Sequence, residues 1–239
     1  MTIQSKRIEY SDGDHGLQAH MAWNDALDGP GPGVLVAHAW RGRSEFEDRK
    51  AEKLAELGYV GFALDLYGKG VLGNSVEENN ALMQPLIEDR QMLQRRMHLA
   101  LETLRGQDEV DPEKTAAMGF CFGGLSVLDL ARTGADVQGV ASFHGLFNQP
   151  GNTQGNSITA KVLAMHGWED PMATPEQVLD FAEEMTGMGA DWQLHAFGNT
   201  SHAFTNPEAN DAGMGMLYQA DADRRSWDLL AGFLAELFV

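Results

Sequence analysis

An α/β fold, with a mostly parallel central sheet and helices on both faces, is predicted by three features of this 239-residue sequence. Short continuous apolar runs recur along the chain, the pattern of strands covered on both faces. Between them lie stretches with apolar residues at i, i+3, i+4 and i+7, several opened by capping residues. Strand and helix alternate in this way to the end, which requires parallel strands joined by crossovers. No internal repeat or composition shift marks a linker, so residues 1–239 are expected to form one domain.

Two short strands open the chain, around Arg7–Tyr10 and Leu17–Trp23, with Ser11-Asp12-Gly13-Asp14 as the turn. Val34–Ala37 reads as the first covered strand. Ser44 with Glu47 makes a capping box, and the helix it opens ends near Gly58. Tyr59–Leu66 is the next strand. Leu93, Met97, Ala100, Leu101 and Leu104 trace one helical face that stops at Gly106, and Pro85 is expected to separate it from a shorter helical piece around Val76–Met83. The stretch Gly68–Asp89 otherwise carries no strong pattern; lying over a pocket, it would set substrate size.

Thr115–Gly119 is a strand and Gly123–Arg132 a helix, followed by strands at Val137–Phe143 and Lys161–His166. Thr174-Pro175-Glu176-Gln177 supplies an N-cap, a first-turn proline and a capping glutamine for a helix with Val178, Phe181, Ala182 and Met185 inward. Trp192–Phe197 is the last strand. A closing helix from about Ala222 turns Trp227, Leu230, Leu234 and Leu237 inward.

Seventeen Lys and Arg face 35 Asp and Glu, a net charge of −18 that argues against nucleic acid or an anionic membrane surface as partner. An ordinary solvated surface and adaptation to salty surroundings both account for that acidity. One cysteine excludes an internal disulfide, Met1–Tyr10 lacks the apolar core of a signal peptide, and no apolar run approaches membrane-helix length. A soluble protein of the reducing cytoplasm is expected.

Ligands and catalysts in such a sheet sit at strand-to-helix turns. Gly119-Phe-Cys-Phe-Gly-Gly124 is not the G-x-G-x-x-G of a dinucleotide site, and no P-loop is present. The segment does fit a nucleophile elbow, G-x-[SC]-x-G, with Cys121 at its centre. A nucleophile on so tight a turn needs near-absent side chains two residues to either side, here Gly119 and Gly123. The N-terminus of the following helix favours the thiolate. The bland alternative is a small buried cysteine. A thiol needs a base, and the base an orienting carboxylate. His202 and Asp170 follow predicted strands and stand in the order nucleophile, acid, histidine; Glu169 is the rival acid. His144 and His166 read as satisfied core or strand-end histidines, and His38, after the first covered strand, as a candidate substrate contact.

These segments, with His166-Gly-Trp-Glu-Asp-Pro171, Ser201-His-Ala-Phe204, Asp65-Leu-Tyr-Gly68 and Asn199-Thr-Ser-His202, resemble the dienelactone hydrolase family over nearly the whole chain. The resemblance implies an α/β-hydrolase fold without a large cap domain, acting on small-molecule esters and lactones without metal or organic cofactor. It makes Cys121 the nucleophile, His202 the general base and acid, and Asp170 the orienting carboxylate. The oxyanion hole would be the backbone N–H groups of Phe122 and Trp40. Trp40 and Phe204 are candidates to line an acyl pocket, with core packing the alternative for either. Two departures stand out. Ala39 occupies the place of a family glutamate that helps activate the cysteine, and Asn206 that of an arginine that grips the substrate carboxylate. Uncharged esters are therefore favoured over dienelactone itself, with Arg41 or Arg90 as a replacement cation. A thiolate also suits good leaving groups and strained lactones better than amides, so peptidase activity is expected to be weak or absent. The alternatives are a true lactone hydrolase of aromatic degradation and a catalytically inactive binding module on the same scaffold.

Overall fold

The computed structural model describes residues 2–26 and 28–239. Backbone contacts divide the chain into two compact units, residues 1–118 and 119–239.

The first unit opens with a hairpin of β1 (Ile3–Asp12) and β2 (His15–Asn24), paired antiparallel along their whole length around the two-residue turn Gly13-Asp14. Gly13 takes φ +62°, the conformation a tight hairpin turn asks for. The Arg95 guanidinium, against the pull of burial and with help from Arg96, holds the Asp12 carboxyl at about 2 and ties the turn to a helix. The strands β3 (Gly31–Ala37) and β4 (Val60–Ala63) are parallel, and β2 joins β4 antiparallel. Between β3 and β4, α1 (Glu45–Glu56) starts at the expected capping box: Ser44 Oγ accepts from Phe46 N–H at 3.2 Å, and Glu47 Oε2 accepts from Ser44 N–H at 2.9 Å.

Two expectations fail here for physical reasons. The strand read over Tyr59–Leu66 is only four residues long, because side chains take over its ladder. Asp65 N–H donates to Tyr10 Oη at 2.9 Å and Leu66 N–H to His38 Nε2 at 3.1 Å. Pro85 does not separate two helices either. It lies inside α2 (Val76–Glu88), near its end, where the missing N–H costs one bond, and its own carbonyl accepts from Asp89 N–H at 3.0 Å. The break falls at Asp89, whose carboxylate caps α3 (Arg90–Arg105) by accepting from Met92 N–H at 3.0 Å.

The strand β5 (Val110–Phe120) crosses the division between the units. In the second unit β6 (Gly139–Phe143), β7 (Lys161–Gly167) and β8 (Trp192–Phe197) are parallel neighbours. The helices are α4 (Phe122–Arg132), α5 (Pro175–Gly187) and α6 (Ala220–Leu237), with α4 packed on β6. The expected cap of α5 forms, Gln177 Oε1 accepting from Thr174 N–H at 2.8 Å. On α6 the buried stripe is Ala222, Ser226, Leu230, Phe233 and Leu234; Trp227 and Leu237, expected inward, are only half-buried. A small ribbon, β9 (Asn210–Asp211) with β10 (Met216–Leu217), was not foreseen, its strands being too short for any periodicity.

Strand order is β1-β2-β4-β3-β5-β6-β7-β8, antiparallel at the N-terminal edge and parallel elsewhere among the described pairs. The longest stretch between successive strands of this sheet, residues 64–109, holds only α2 and α3, so no large cap domain is inserted. Among the described residues no helix is long and apolar enough to cross a membrane.

Candidate active site

Cys121 joins β5 to α4 and is the half-buried N-cap of that helix. Its backbone takes φ +55°, ψ −114°, a conformation that non-glycine residues rarely adopt and that costs on the order of 1–3 kcal/mol. Two bonds hold it there: Cys121 N–H donates to the Phe143 carbonyl at 3.0 Å, and its carbonyl accepts from Leu125 N–H at 3.1 Å. Gly119 is required by space. A Cβ there would lie 2.2 Å from the Gly123 carbonyl oxygen and 2.4 Å from its carbon, both backbone atoms of the first turn of α4.

Asp170 and His202 come from the turns after β7 and β8. The two turns are stitched together by Trp168 N–H to the Phe197 carbonyl and Glu169 N–H to the Thr200 carbonyl, both 2.9 Å. Gly167 permits this approach, since a Cβ would stand 2.5 Å from the Ser201 carbonyl oxygen. Asp170 and His202 thereby meet: His202 Nδ1 donates to Asp170 Oδ2 at 2.7 Å, with both side chains buried. Asp170 Oδ1 is fixed in turn by Met172 N–H at 2.8 Å. Glu169, the rival acid, points to solvent. The ribbon holds the histidine's backbone, with His202 N–H donating to the Gly215 carbonyl at 2.9 Å and Leu217 N–H to the His202 carbonyl at 3.1 Å.

His202 Nε2 is buried and makes no hydrogen bond, leaving it free for a reacting partner. Burial alone would disfavour the charged ring. The Cys121 charge and the bond to Asp170 outweigh it, raising the His202 pKa from its ordinary 6.5 to about 10. Cys121 and His202 are thus electrostatically paired.

The family model of the dienelactone hydrolase family matches residues 17–238. The chain belongs to the dienelactone hydrolase family. It is a hydrolase of ester or lactone bonds. Among solved structures it is similar to a dienelactone hydrolase-like promiscuous phosphotriesterase, P91, from metagenomic libraries, with 34% identity, TM-score 0.93 and 99% of each chain covered. Among curated proteins it is 30% identical over 210 residues to the "Putative carboxymethylenebutenolidase" of Aquifex aeolicus (strain VF5), covering 85% of this chain and 87% of that one. It is 36% identical over 154 residues to the uncharacterized protein K02A2.1 of Caenorhabditis elegans, covering 61% of this chain and 94% of that one.

Other expected contacts of this family member find different employment. His38 is fully buried, its Nδ1 2.8 Å from the Ala39 carbonyl and its Nε2 accepting from Leu66 N–H, so that it braces the loop. Phe204 is also fully buried, packed edge-on between His144 at 5.1 Å and Phe197 at 5.5 Å. Arg41 is exposed and spends its guanidinium on the Gly73 carbonyl at 3.0 Å and Asn74 Oδ1 at 3.5 Å, while Arg90 is buried at the start of α3. Trp40, half-buried after β3, is anchored through its carbonyl by Tyr67 Oη at 2.9 Å. Gly73 N–H donates to the Arg41 carbonyl at 2.9 Å, so part of the unassigned stretch 68–89 is pinned to this loop. A carboxylate does reach Ala39: Glu47 Oε1 accepts from its N–H at 3.3 Å while Oε2 serves the helix cap.

Both strand-end histidines are buried, as expected, but they differ in how their rings are held. His166 is fully buried with neither ring nitrogen hydrogen-bonded, so it is no satisfied core residue; burial keeps its pKa below the ordinary value despite the Asp170 carboxylate nearby. Either neutral tautomer carries an N–H, and leaving it unmatched costs about 1–3 kcal/mol. His144 packs its ring against His202 at 5.0 Å. Its position immediately after β6, at a strand's carboxyl end, was the available signal.

Gly119→Ala tests the elbow. The added methyl is expected to destabilise by about 1–3 kcal/mol through overpacking and to cut p-nitrophenyl acetate turnover about 100-fold by displacing the start of α4. Wild-type turnover in a folded Gly119→Ala protein would refute the tight elbow.

Proposed function

We propose that this enzyme hydrolyses small, uncharged carboxylic esters through a thioacyl intermediate, with Cys121 as nucleophile, His202 as base and acid, and Asp170 as orienting carboxylate. The observation that carries the reading is the His202–Asp170 bond, which leaves the buried Nε2 unbonded and paired in charge with Cys121. Cys121 Sγ, its proton held on His202, attacks the ester carbonyl carbon. The displaced electron pair collects on the carbonyl oxygen, held by the N–H of Phe122. Collapse of this adduct breaks the C–O bond, and His202 Nε2–H protonates the departing alkoxide. His202 then takes a proton from water as its oxygen attacks the thioester, releasing the acid and restoring Cys121. Asp170 keeps Nδ1 protonated throughout, so that Nε2 always does the exchanging. A free thiolate nucleophile persists in a reducing compartment, which is why we place the enzyme in the cytoplasm.

Hydrolysis of p-nitrophenyl acetate and butyrate by wild type and Cys121→Ala tests this. Turnover in the wild type that disappears in the variant is expected; turnover surviving the substitution would overturn the nucleophile.

The second reading, a lactone hydrolase proper, is favoured by the name of the Aquifex relative. Against it stands Asn206 where a carboxylate-gripping arginine is expected, with Arg41 already committed to Gly73 and Asn74. The ratio of kcat/KM for dienelactone to that for a short aliphatic ester decides, and a lactone preference of orders of magnitude would reverse the ranking. The likeness to a promiscuous phosphotriesterase adds a dialkyl p-nitrophenyl phosphate to the substrate panel.

A further inference from the structure

Asp170 fixes the His202 ring at one atom, Nδ1, and a ring held at one atom can still rock about that bond. Its attitude toward Cys121 has to be set by packing. His144 provides that packing: the two rings meet at 66° with centroids 5.0 Å apart. His144 is itself constrained from several sides. It is buried, at φ +39°, where a side-chain-bearing residue is strained, and its N–H donates to the Met165 carbonyl at 2.8 Å. Its Nε2 lies 2.8 Å from the Oγ1 of buried Thr205, three residues beyond His202. Phe204 packs on the same ring at 5.1 Å and 80°.

The backbone around His144 also touches the nucleophile's turn. Phe143 accepts from Cys121 N–H, and a Cβ on Gly124 would lie 2.7 Å from the Gly145 Cα. Residues 143–145 are therefore in contact with the elbow, while the side chain of residue 144 is in contact with the base. One short segment registers the two halves of the proposed chemistry against each other.

We propose that His144, locked by Thr205, is a positioning residue that fixes the His202 ring so that Nε2 faces Cys121; this rests on the triad reading above. The imidazole supplies what a purely apolar ring lacks, a hydrogen bond that sets its own rotation. Pre-organisation of this kind matters because small misplacements of a catalytic group cost large factors in rate.

The test compares wild type, His144→Ala, His144→Phe and Thr205→Val, with Cys121→Ala as control. Each is measured for Tm, for kcat and KM on p-nitrophenyl acetate, and for the rate of iodoacetamide alkylation as a function of pH. Cys121 is the sole cysteine of the chain, so alkylation reports on it without ambiguity. His144→Ala is expected to lower kcat about 10–100-fold with KM nearly unchanged, and to move the alkylation profile to higher pH as the pairing of Cys121 with His202 loosens. Thr205→Val, which keeps the volume and removes the hydroxyl, shifts both readouts the same way by less. His144→Phe restores part of the kcat lost in His144→Ala, since it returns the ring without the bond. Variants with wild-type Tm, kcat and alkylation profile would overturn the proposal. Should His144→Ala fail to fold, Thr205→Val and His144→Phe decide it. Turnover that survives Cys121→Ala would overturn the triad reading and this one with it, whereas a dead Cys121→Ala beside unaffected His144 variants overturns the positioning role alone.

Discussion

Asp170→Asn is expected to lower kcat by about 10³–10⁴-fold while leaving KM nearly unchanged. The size of the effect follows from which oxygen of Asp170 does what. Oδ1 accepts from Met172 N–H at 2.8 Å and Oδ2 faces His202 Nδ1 at 2.7 Å. In asparagine the amide oxygen keeps the Met172 bond, since only an oxygen can accept there. The NH2 is then turned on His202, whose Nδ1 must become the acceptor. The ring's proton moves to Nε2, where it blocks uptake of the Cys121 proton. Geometry survives and chemistry does not, so the variant should fold, bind ester and turn over slowly. Stability should respond to pH as well. A folded pKa of about 10 against an ordinary 6.5 means that protonated His202 contributes stability fully present below 6.5 and lost as pH rises toward 10. Burial opposes that charge, and the bond to Asp170 is one of the causes that sustain it. Removing it should flatten the fall in Tm between those pH values. A kcat within tenfold of wild type, or an unchanged Tm–pH curve, would show that Asp170 does not hold the proton on Nδ1.

The parts of this site that could be read in the sequence are those whose reasons are local. Gly119 is legible because the clash it avoids lies within five residues, between the end of a strand and the first turn of a helix. Ser44–Glu47 and Thr174–Gln177 are likewise three-residue bargains between side chain and backbone. Asp170 and His202 were legible by position, each just past a strand of clear pattern, although their bond spans 32 residues.

What was missed depends on pairs the chain brings together over long separations. Nothing near His38 announces that Leu66 N–H will donate to its ring, so its bracing of the loop could not be read from the sequence. His144 and Thr205 are 61 residues apart, and only their meeting turns a strand-end histidine into the wall of another histidine's site. The shortening of β4 has the same origin, its ladder being intercepted by Tyr10 and His38 from elsewhere in the unit. Pro85 misled in the opposite sense. The proline falls close enough to a helix end that the missing bond is cheap, and Asp89 supplies the stop.

Arg132 is the largest case of a role invisible in sequence, and Arg132→Met should be the most damaging substitution remote from Cys121. The side chain closes α4 and is fully buried. Its guanidinium grips Glu184 of α5 through two bonds of 2.8 and 2.7 Å, reaches Asp129 at 3.2 Å, and donates to the carbonyls of Phe147 and Asn148 at 2.9 and 3.3 Å. Helix α4, helix α5 and the segment just beyond His144 are thus held by one cation. Methionine fills much the same space, so the effect isolates charge. It strands two buried carboxylates without that cation and removes the donors of two carbonyls. The expected cost is about 3–5 kcal/mol, a fall in Tm of about 6–20 °C for a chain of this length. Glu184→Leu added to Arg132→Met removes one of the stranded charges and should recover part of that loss, because an apolar pair tolerates burial where a lone carboxylate does not. At temperatures where Arg132→Met stays folded, kcat should still fall, since the segment that slackens is the one carrying His144. A Tm within about 2 °C of wild type, corresponding to less than about 1 kcal/mol, would mean that the network is ornamental to the fold. A double variant less stable than Arg132→Met would place the stability in Glu184's other contacts, not in its pairing with the arginine.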